Sequence, residues 1–190
     1  MVFKQIQPYR NRAISIPNIL TLLRILLTPL FIILVLRRQY SLGLLVFAAA
    51  GISDALDGFI ARCFNQRTQL GAYLDPLADK LLLGSAFVCL GVLKVLPAWL
   101  AVIVITRDVI IVLGIAILTI TEKTYEVKPS IVSKCTTAAQ LVTITVVLLY
   151  QSFGFLPLLV KPLYWFVAGL TICSGLLYIY LGMVILQEEG

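Results

Sequence analysis

Long apolar stretches separated by short polar segments make up most of the chain from residue 19 onward. Each of six stretches is close in length to the roughly 20 residues that an α-helix needs to cross a bilayer. The six are Ile19–Leu36, Leu42–Ile60, Ala72–Leu96, Ala98–Ile120, Thr136–Phe155 and Leu163–Leu186. Neither end has a hydrophilic stretch long enough for a second domain. The pattern predicts an all-α integral membrane protein with six transmembrane helices in one domain, residues 1–190.

The second and third stretches carry charges where a membrane helix should be apolar. The uncharged part of the third, Leu81–Leu93, is too short to span. Asp75, Asp79 and Lys80 are therefore expected at membrane depth, and Asp54 lies similarly deep in the second stretch. Ionisable groups are costly there, so they indicate a functional site.

The basic residues predict the orientation of the helices. Residues 1–15 mix basic and apolar side chains without the apolar core of a signal peptide, as in a segment lying on the membrane surface. With this end inside, the inner loops hold eight Lys and Arg and the outer loops four. That bias favours a cytoplasmic N-terminus, and we expect a bacterial-type inner membrane with the aspartates near its cytoplasmic face.

Composition narrows the chemistry. The chain is 61% hydrophobic and only 13% charged, which excludes an ordinary soluble domain. Its net charge of +6 comes from short loops and suits anionic membrane lipids rather than nucleic acid. There is no histidine, so Ser-His-Asp catalysis and histidine-rich zinc sites are excluded.

Four aspartates form the candidate site: Asp54 and Asp57 in the second stretch, Asp75 and Asp79 in the third. Helical periodicity puts each pair on one face, and the short loop makes the helices antiparallel neighbours. Four converging carboxylates cannot all stay ionised without cations. Oxygen-only ligation favours Mg²⁺, with Mn²⁺ or Ca²⁺ as alternatives, and two ions would suit displacement at phosphorus.

Small residues accompany the aspartates. Gly58, Ala61 and Gly71 would leave room for a nucleotide or diphosphate to approach the backbone. Close helix packing is the alternative explanation. Arg62 follows the cluster by one turn and either binds phosphate or reaches the membrane interface.

The spacing D-x2-D-G-x2-A-R-x8-G-x3-D-x3-D, matched from Asp54 to Asp79, resembles the signature of the CDP-alcohol phosphotransferases. The resemblance implies a single membrane domain, assembled as a homodimer, that displaces CMP from a CDP-linked donor. It implies two metal ions held by Asp54, Asp57, Asp75 and Asp79, with Asp79 also the base that deprotonates the acceptor.

The resemblance also implies a donor site in which Gly58, Arg62 and Thr68 contact the CDP group. The element Pro17-Asn18-x2-Thr21-x2-Arg24 resembles the family's first helix near the nucleotide, although Asn18 could simply cap a helix. The expected donor-binding residues are Asn18, Thr21, Gly58, Ala61, Arg62, Thr68 and Gly71.

Two acceptors remain open. Residues 16–24 and 74–80 look like phosphatidylglycerophosphate synthases, which join CDP-diacylglycerol to sn-glycerol 3-phosphate; this is the main hypothesis. Residues 106–109 and 128–137 also resemble CDP-dependent cardiolipin synthases, which use phosphatidylglycerol. A cation-coupled transporter is a distant alternative, because the two halves of the chain do not match.

Arg107 is expected to be buried in the fourth helix and to need an anionic partner. Asp108 is an imperfect candidate, because neighbouring residues on a helix point about 100° apart. Arg107 therefore either pairs with an aspartate of the cluster or, together with Lys134, binds the acceptor's phosphate.

Overall fold

The computed structural model describes residues 16–63, 69–120 and 131–187, with side chains placed at 20–54, 78–114 and 131–184. Throughout these ranges the secondary structure is helical, with no strand, which confirms the all-α prediction. The helices are α1 (Ile16–Leu36), α2 (Tyr40–Cys63), α3 (Gln69–Val92), α4 (Ala98–Ile120), α5 (Ile131–Phe153) and α6 (Pro157–Gln187).

Within the part of the chain that the structure describes, two helices are long and apolar enough to cross a membrane on length and composition alone. They are Ile131–Phe153 and Pro157–Val184. The apolar runs found in α1 and α2, Leu20–Leu36 and Tyr40–Asp54, are shorter. The prediction of six membrane crossings therefore stays a prediction, whereas six helices are observed.

The predicted starts of the last two helices were wrong. α5 begins at Ile131 rather than Thr136, and α6 begins at Pro157 rather than Leu163. Polar residues are tolerated in the first turn of a helix, where backbone N–H groups have no partner within the helix, and proline is favoured at the first position. As a result Ser133 and Lys134 lie on a helix instead of in a loop.

Tight connections make successive helices neighbours. Arg38 and Lys94 adopt left-handed backbone conformations, with φ of 59° and 57°, just after α1 and α3 end. A left-handed residue at this position closes a helix and reverses the chain. α1 packs against α2 and α3, α4 packs against α3 and α6, and α5 joins the two groups by packing on α2 and α6.

The core lies between these groups and is strongly apolar. Phe31 and Phe47 pack with ring centroids 5.6 Å apart, and Phe87, Leu90 and Leu100 are fully buried around them. Many large apolar side chains, such as Leu158 and Trp165, instead face outward. Soluble monomers rarely expose extended apolar surface, so this exterior suits lipid.

Candidate active site

A buried arginine on α1 joins the second and third helices. Arg24 is only 1% exposed, and its Nη2 lies 2.9 Å from Oδ1 of Asp54 on α2. Its Nη1 donates a hydrogen bond of 2.6 Å to Oδ1 of Asp79 on α3. The structure thus brings Asp54 and Asp79 together on one guanidinium, at the faces where the sequence predicted the carboxylates to meet.

The sequence of α1 explains why Arg24 points inward. Positions 21, 24, 28, 31 and 35 follow the alternating three- and four-residue spacing of a buried helix stripe, and all five side chains are buried. The hydroxyl of Thr28 donates to the carbonyl oxygen of Arg24 at 2.9 Å. A cation on such a stripe requires counter-charges, and the two aspartates provide them.

The carboxylates themselves are open to their surroundings. The side chains of Asp54 and Asp79 are 45% and 39% exposed, although the arginine that they contact is buried. Arg24 therefore holds two partly exposed carboxylates, from two different helices, on one guanidinium.

Other predicted site residues lie where only the backbone is described or outside the described residues. Asp57 and Asp75 are on the backbone of α2 and α3, three residues after Asp54 and four before Asp79, so helical periodicity puts them on the same faces. Asn18, Gly58, Ala61, Arg62 and Gly71 likewise lie on described helix backbone only, and Thr68 falls outside the described ranges.

The donor set suits a divalent cation. Among the described side chains, no group of three or more His, Cys, Asp or Glu forms a metal cluster, since only two of the four aspartates are included. Those two already converge on one cation, Arg24. Carboxylate oxygens without histidine or cysteine are the ligands that Mg²⁺ and Mn²⁺ prefer, so the residues fit such an ion.

A second buried arginine, Arg107 on α4, is 5% exposed. Its Nη1 lies 2.7 Å from Oδ1 of Asp108. Asp108, expected to be an imperfect partner, does pair with Arg107, because the long arginine side chain can reach the neighbouring carboxylate. The alternative was a pairing with an aspartate of the cluster. Among the described side chains Arg107 forms no ion pair with Asp54 or Asp79, and for Asp57 and Asp75 only the backbone is described.

The remaining nitrogens of Arg107 contact α5 and α6. Nη2 donates to the hydroxyl of Ser133 at 2.6 Å and to that of Ser174 at 3.0 Å, and Nε lies 3.3 Å from Ser174. The ring of Tyr178 lies 6.0 Å from the guanidinium carbon. Sequence reasoning missed Ser174, and an isolated serine 67 residues away carries no signal that would have revealed it.

Lys134, the other predicted acceptor-binding residue, is exposed on α5. Within the described residues it makes no hydrogen bond or ion pair, and the structure does not bring it into contact with Arg107. The joint role of Arg107 and Lys134 in acceptor binding stays a prediction.

The sequence pattern of the CDP-alcohol phosphatidyltransferases matches residues 14–187, nearly the whole chain and both arginine sites. The chain belongs to the CDP-alcohol phosphatidyltransferase family. Membership indicates an enzyme of the phosphatidyltransferase class rather than a cation-coupled transporter.

Similar proteins within the family carry two names. The chain is 34% identical to human "Cardiolipin synthase (CMP-forming)" over 190 residues, covering 91% of this chain and 63% of the human protein. It is 35% identical to a Drosophila melanogaster "Probable cardiolipin synthase (CMP-forming)" over 183 residues, 88% of this chain and 57% of that protein. A Mycobacterium tuberculosis "Probable phosphatidylglycerophosphate synthase" is 37% identical over 115 residues, 57% of this chain and 53% of that protein. The chain thus spans about three fifths of the two animal relatives.

Proposed function

We propose that this phosphatidyltransferase transfers a phosphatidyl group from CDP-diacylglycerol to phosphatidylglycerol, forming cardiolipin and releasing CMP. The observation that carries the proposal is coverage. The human and fly proteins that match about nine tenths of the chain are both named cardiolipin synthase. The mycobacterial phosphatidylglycerophosphate synthase matches 57%, a share that a Streptomyces coelicolor protein named cardiolipin synthase also has. The preference for sn-glycerol 3-phosphate drawn from the sequence thus becomes the second candidate, which the mycobacterial relative keeps open.

In the proposed reaction the free hydroxyl of phosphatidylglycerol attacks the phosphatidyl phosphorus of the donor. A new phosphate ester bond forms, and the bond between that phosphorus and the bridging oxygen of the diphosphate breaks. CMP leaves with the bridging oxygen and its electron pair. Asp79 takes the hydroxyl proton; its carboxylate is 39% exposed and held by Arg24.

Asp54, Asp57, Asp75 and Asp79 would hold one or two Mg²⁺ or Mn²⁺ ions. A bound ion would neutralise the diphosphate and stabilise the charge that develops on the leaving CMP. Arg24 supports this role because it fixes Asp54 and Asp79 relative to each other. We assign donor binding to α1, α2 and the first turn of α3 with the residue before it. On α1, Thr21 is buried one turn before Arg24. The residues assigned to the donor are Asn18, Thr21, Gly58, Ala61, Arg62, Thr68 and Gly71.

The proposal includes the membrane arrangement. All six helices would cross the bilayer with the aspartates near the cytoplasmic face, as the outward-facing apolar side chains and the basic inner loops favour. Assembly as a homodimer in a bacterial-type inner membrane remains a prediction.

The test supplies the purified protein with CDP-diacylglycerol and either phosphatidylglycerol or sn-glycerol 3-phosphate. Mass spectrometry identifies the lipid product, and released CMP is measured in parallel. Cardiolipin formed only with phosphatidylglycerol supports the proposal. Phosphatidylglycerophosphate formed from glycerol 3-phosphate, without cardiolipin, overturns it in favour of the second candidate.

A further inference from the structure

Between α3 and α4 the structure has a groove of about 300 Å³. Its apolar walls come from both helices: Leu81, Gly84, Ile105, Val109, Val112 and Leu113. On α4 the lining runs from residue 105 to 113, about 12 Å of helix at 1.5 Å per residue. This is an elongated apolar space, which suits a segment of an acyl chain better than a small polar metabolite.

The groove exists because the two helices separate in the middle of α3. A side chain built at Gly84 would meet no other atom within 4 Å. Two turns further along α3, a Cβ at Gly91 would lie 3.4 Å from Ala101, so the helices are in contact there. Leu81, Val109 and Val112 are each about half exposed, so the groove opens outward, toward lipid if the helices span the bilayer.

Two charged residues line this apolar space, Lys80 and Asp108. Asp108 is already neutralised by Arg107 at 2.7 Å. Lys80 is partly buried and close enough to both to interact electrostatically, yet no carboxylate among the described side chains lies within ion-pair distance of it. A protonated Lys80 would give the groove one net positive charge at a single point along its apolar walls, which is complementary to an anionic phospholipid.

The groove also lies on the appropriate side of the proposed base. Asp79 and Lys80 are consecutive, so their side chains leave α3 about 100° apart. Asp79 contacts Arg24 on α1, on the side assigned to the donor, whereas Lys80 faces α4. A molecule in the groove would approach Asp79 from the side away from the donor.

We propose that this groove binds the phosphatidylglycerol acceptor, which rests on the function proposed above. An acyl chain would lie along the apolar walls, the phosphodiester would pair with Lys80, and the free glycerol hydroxyl would reach Asp79. Glycerol 3-phosphate has no acyl chain and would leave the apolar walls without a partner. A lipid acceptor would fill the apolar walls with an acyl chain and would also place its phosphodiester at Lys80.

Gly84→Leu tests the proposal by filling the groove. Gly169→Leu on α6 is the matched control, since a side chain there also meets nothing within 4 Å and lies on another helix. We expect Gly84→Leu to lower kcat/KM for phosphatidylglycerol about ten-fold or more, the change that corresponds to about 1.4 kcal/mol. Binding of CDP-diacylglycerol without acceptor should stay within two-fold. The control should change neither quantity.

Lys80→Gln provides a second variant that keeps the packing and removes the charge. It should weaken phosphatidylglycerol use by a similar factor and should abolish the preference for phosphatidylglycerol over zwitterionic phosphatidylcholine in binding. Normal use of phosphatidylglycerol by both variants would overturn the proposal. Loss of donor binding in Gly84→Leu would also overturn it, because the groove would then hold the donor's chain.

A binding measurement separates this proposal from the proposed function. Photoactivatable phosphatidylglycerol in nanodiscs should crosslink to α3 and α4 of the wild-type protein, and less to Gly84→Leu, without any turnover. Crosslinking together with product formed only from glycerol 3-phosphate would defeat the proposed function and keep the groove as an anionic lipid site. Cardiolipin synthesis without crosslinking to α3 or α4 would defeat the groove alone.

Discussion

Two buried arginines lie on different helices, α1 and α4, and their surroundings differ. Arg24 on α1 contacts Asp54 and Asp79, carboxylates from two other helices. Arg107 on α4 has its ion-pair partner, Asp108, on its own helix, and its other contacts are the hydroxyls of α5 and α6. Both guanidiniums are almost completely buried.

The exposure of the carboxylates separates the two sites. The side chains of Asp54 and Asp79 are 45% and 39% exposed, whereas that of Asp108 is 18% exposed. The first arginine holds acidic groups that are still partly exposed. The second forms a nearly enclosed, neutral pair that connects three helices. The site at Arg24 is therefore the better candidate for a reactive site, because its carboxylates are the more exposed ones.

Chelation should have the largest effect on CMP release, because it would remove the divalent ions that the more exposed carboxylates are proposed to hold. Removing divalent cations should abolish CMP release, and Mg²⁺ or Mn²⁺ should restore it, since four carboxylates without a cation repel each other and the donor's diphosphate. The measurement is CMP release across a metal titration. Full activity in excess chelator would refute the metal site.

Asp79→Asn should reduce CMP release by about 10²–10⁴-fold, the usual contribution of a general base. Asp108→Asn is the matched comparison, because it makes the same chemical change in the enclosed pair. It should lower the melting temperature and reduce CMP release much less than Asp79→Asn does, since Asp108 lines the proposed acceptor groove but would not take the proton of the acceptor. Turnover and thermal unfolding are measured on both variants. Equal loss of turnover in the two would mean that the two arginine sites are not functionally distinct.

Arg24→Ala and Arg107→Ala should both destabilise the metal-free protein, since breaking a buried ion pair costs about 3–5 kcal/mol, less where the partners are partly exposed. Mg²⁺ should restore stability only to Arg24→Ala, because a divalent ion can replace the guanidinium between Asp54 and Asp79. Thermal unfolding with and without Mg²⁺ measures this difference. Equal rescue of both variants would contradict the assignment.

The fold was largely predictable from the sequence because apolar runs of membrane length have few alternatives to a helix. The starts of α5 and α6 were wrong for one physical reason. Ser133, Lys134 and Pro157 look like breaks, yet all are compatible with the first turn of a helix. Such residues mark where the apolar part of a helix begins, but the helical backbone can begin several residues earlier.

The candidate site was predictable only in part. That Asp54 and Asp79 lie close together follows from helical periodicity and the short loop between their helices. The double contact of Arg24 and the folded-back contact of Arg107 with Asp108 depend on side-chain conformation and on packing between distant helices. Sequence spacing does not encode either, and neither does it reveal the separation of α3 and α4 at Gly84.

Lys134→Ala tests the predicted acceptor role of Lys134 without a structural complication, because the exposed side chain makes no polar contact within the described residues. If Lys134 binds the acceptor's phosphate, its removal should raise the acceptor KM by about ten-fold, the effect of one charge-assisted hydrogen bond. Donor binding and melting temperature should not change. An unchanged acceptor KM would remove Lys134 from the site.

The smallest expected effect concerns the hydroxyl that joins α6 to Arg107. Ser174 is fully buried and accepts from two nitrogens of Arg107, at 3.0 and 3.3 Å. Ser174→Ala removes one acceptor, but Asp108 and Ser133 still contact the guanidinium, so the loss of stability should be about 1–2 kcal/mol. Thermal unfolding should show this decrease with kcat and both substrate KM values unchanged.

Ser152→Ala on α5 is the matched control and should have little effect, because the Ser152 hydroxyl has no hydrogen-bond partner among the described residues. A fall in acceptor kcat/KM in Ser174→Ala, without loss of stability, would instead place Arg107 in acceptor binding and remove the distinction between the two arginines.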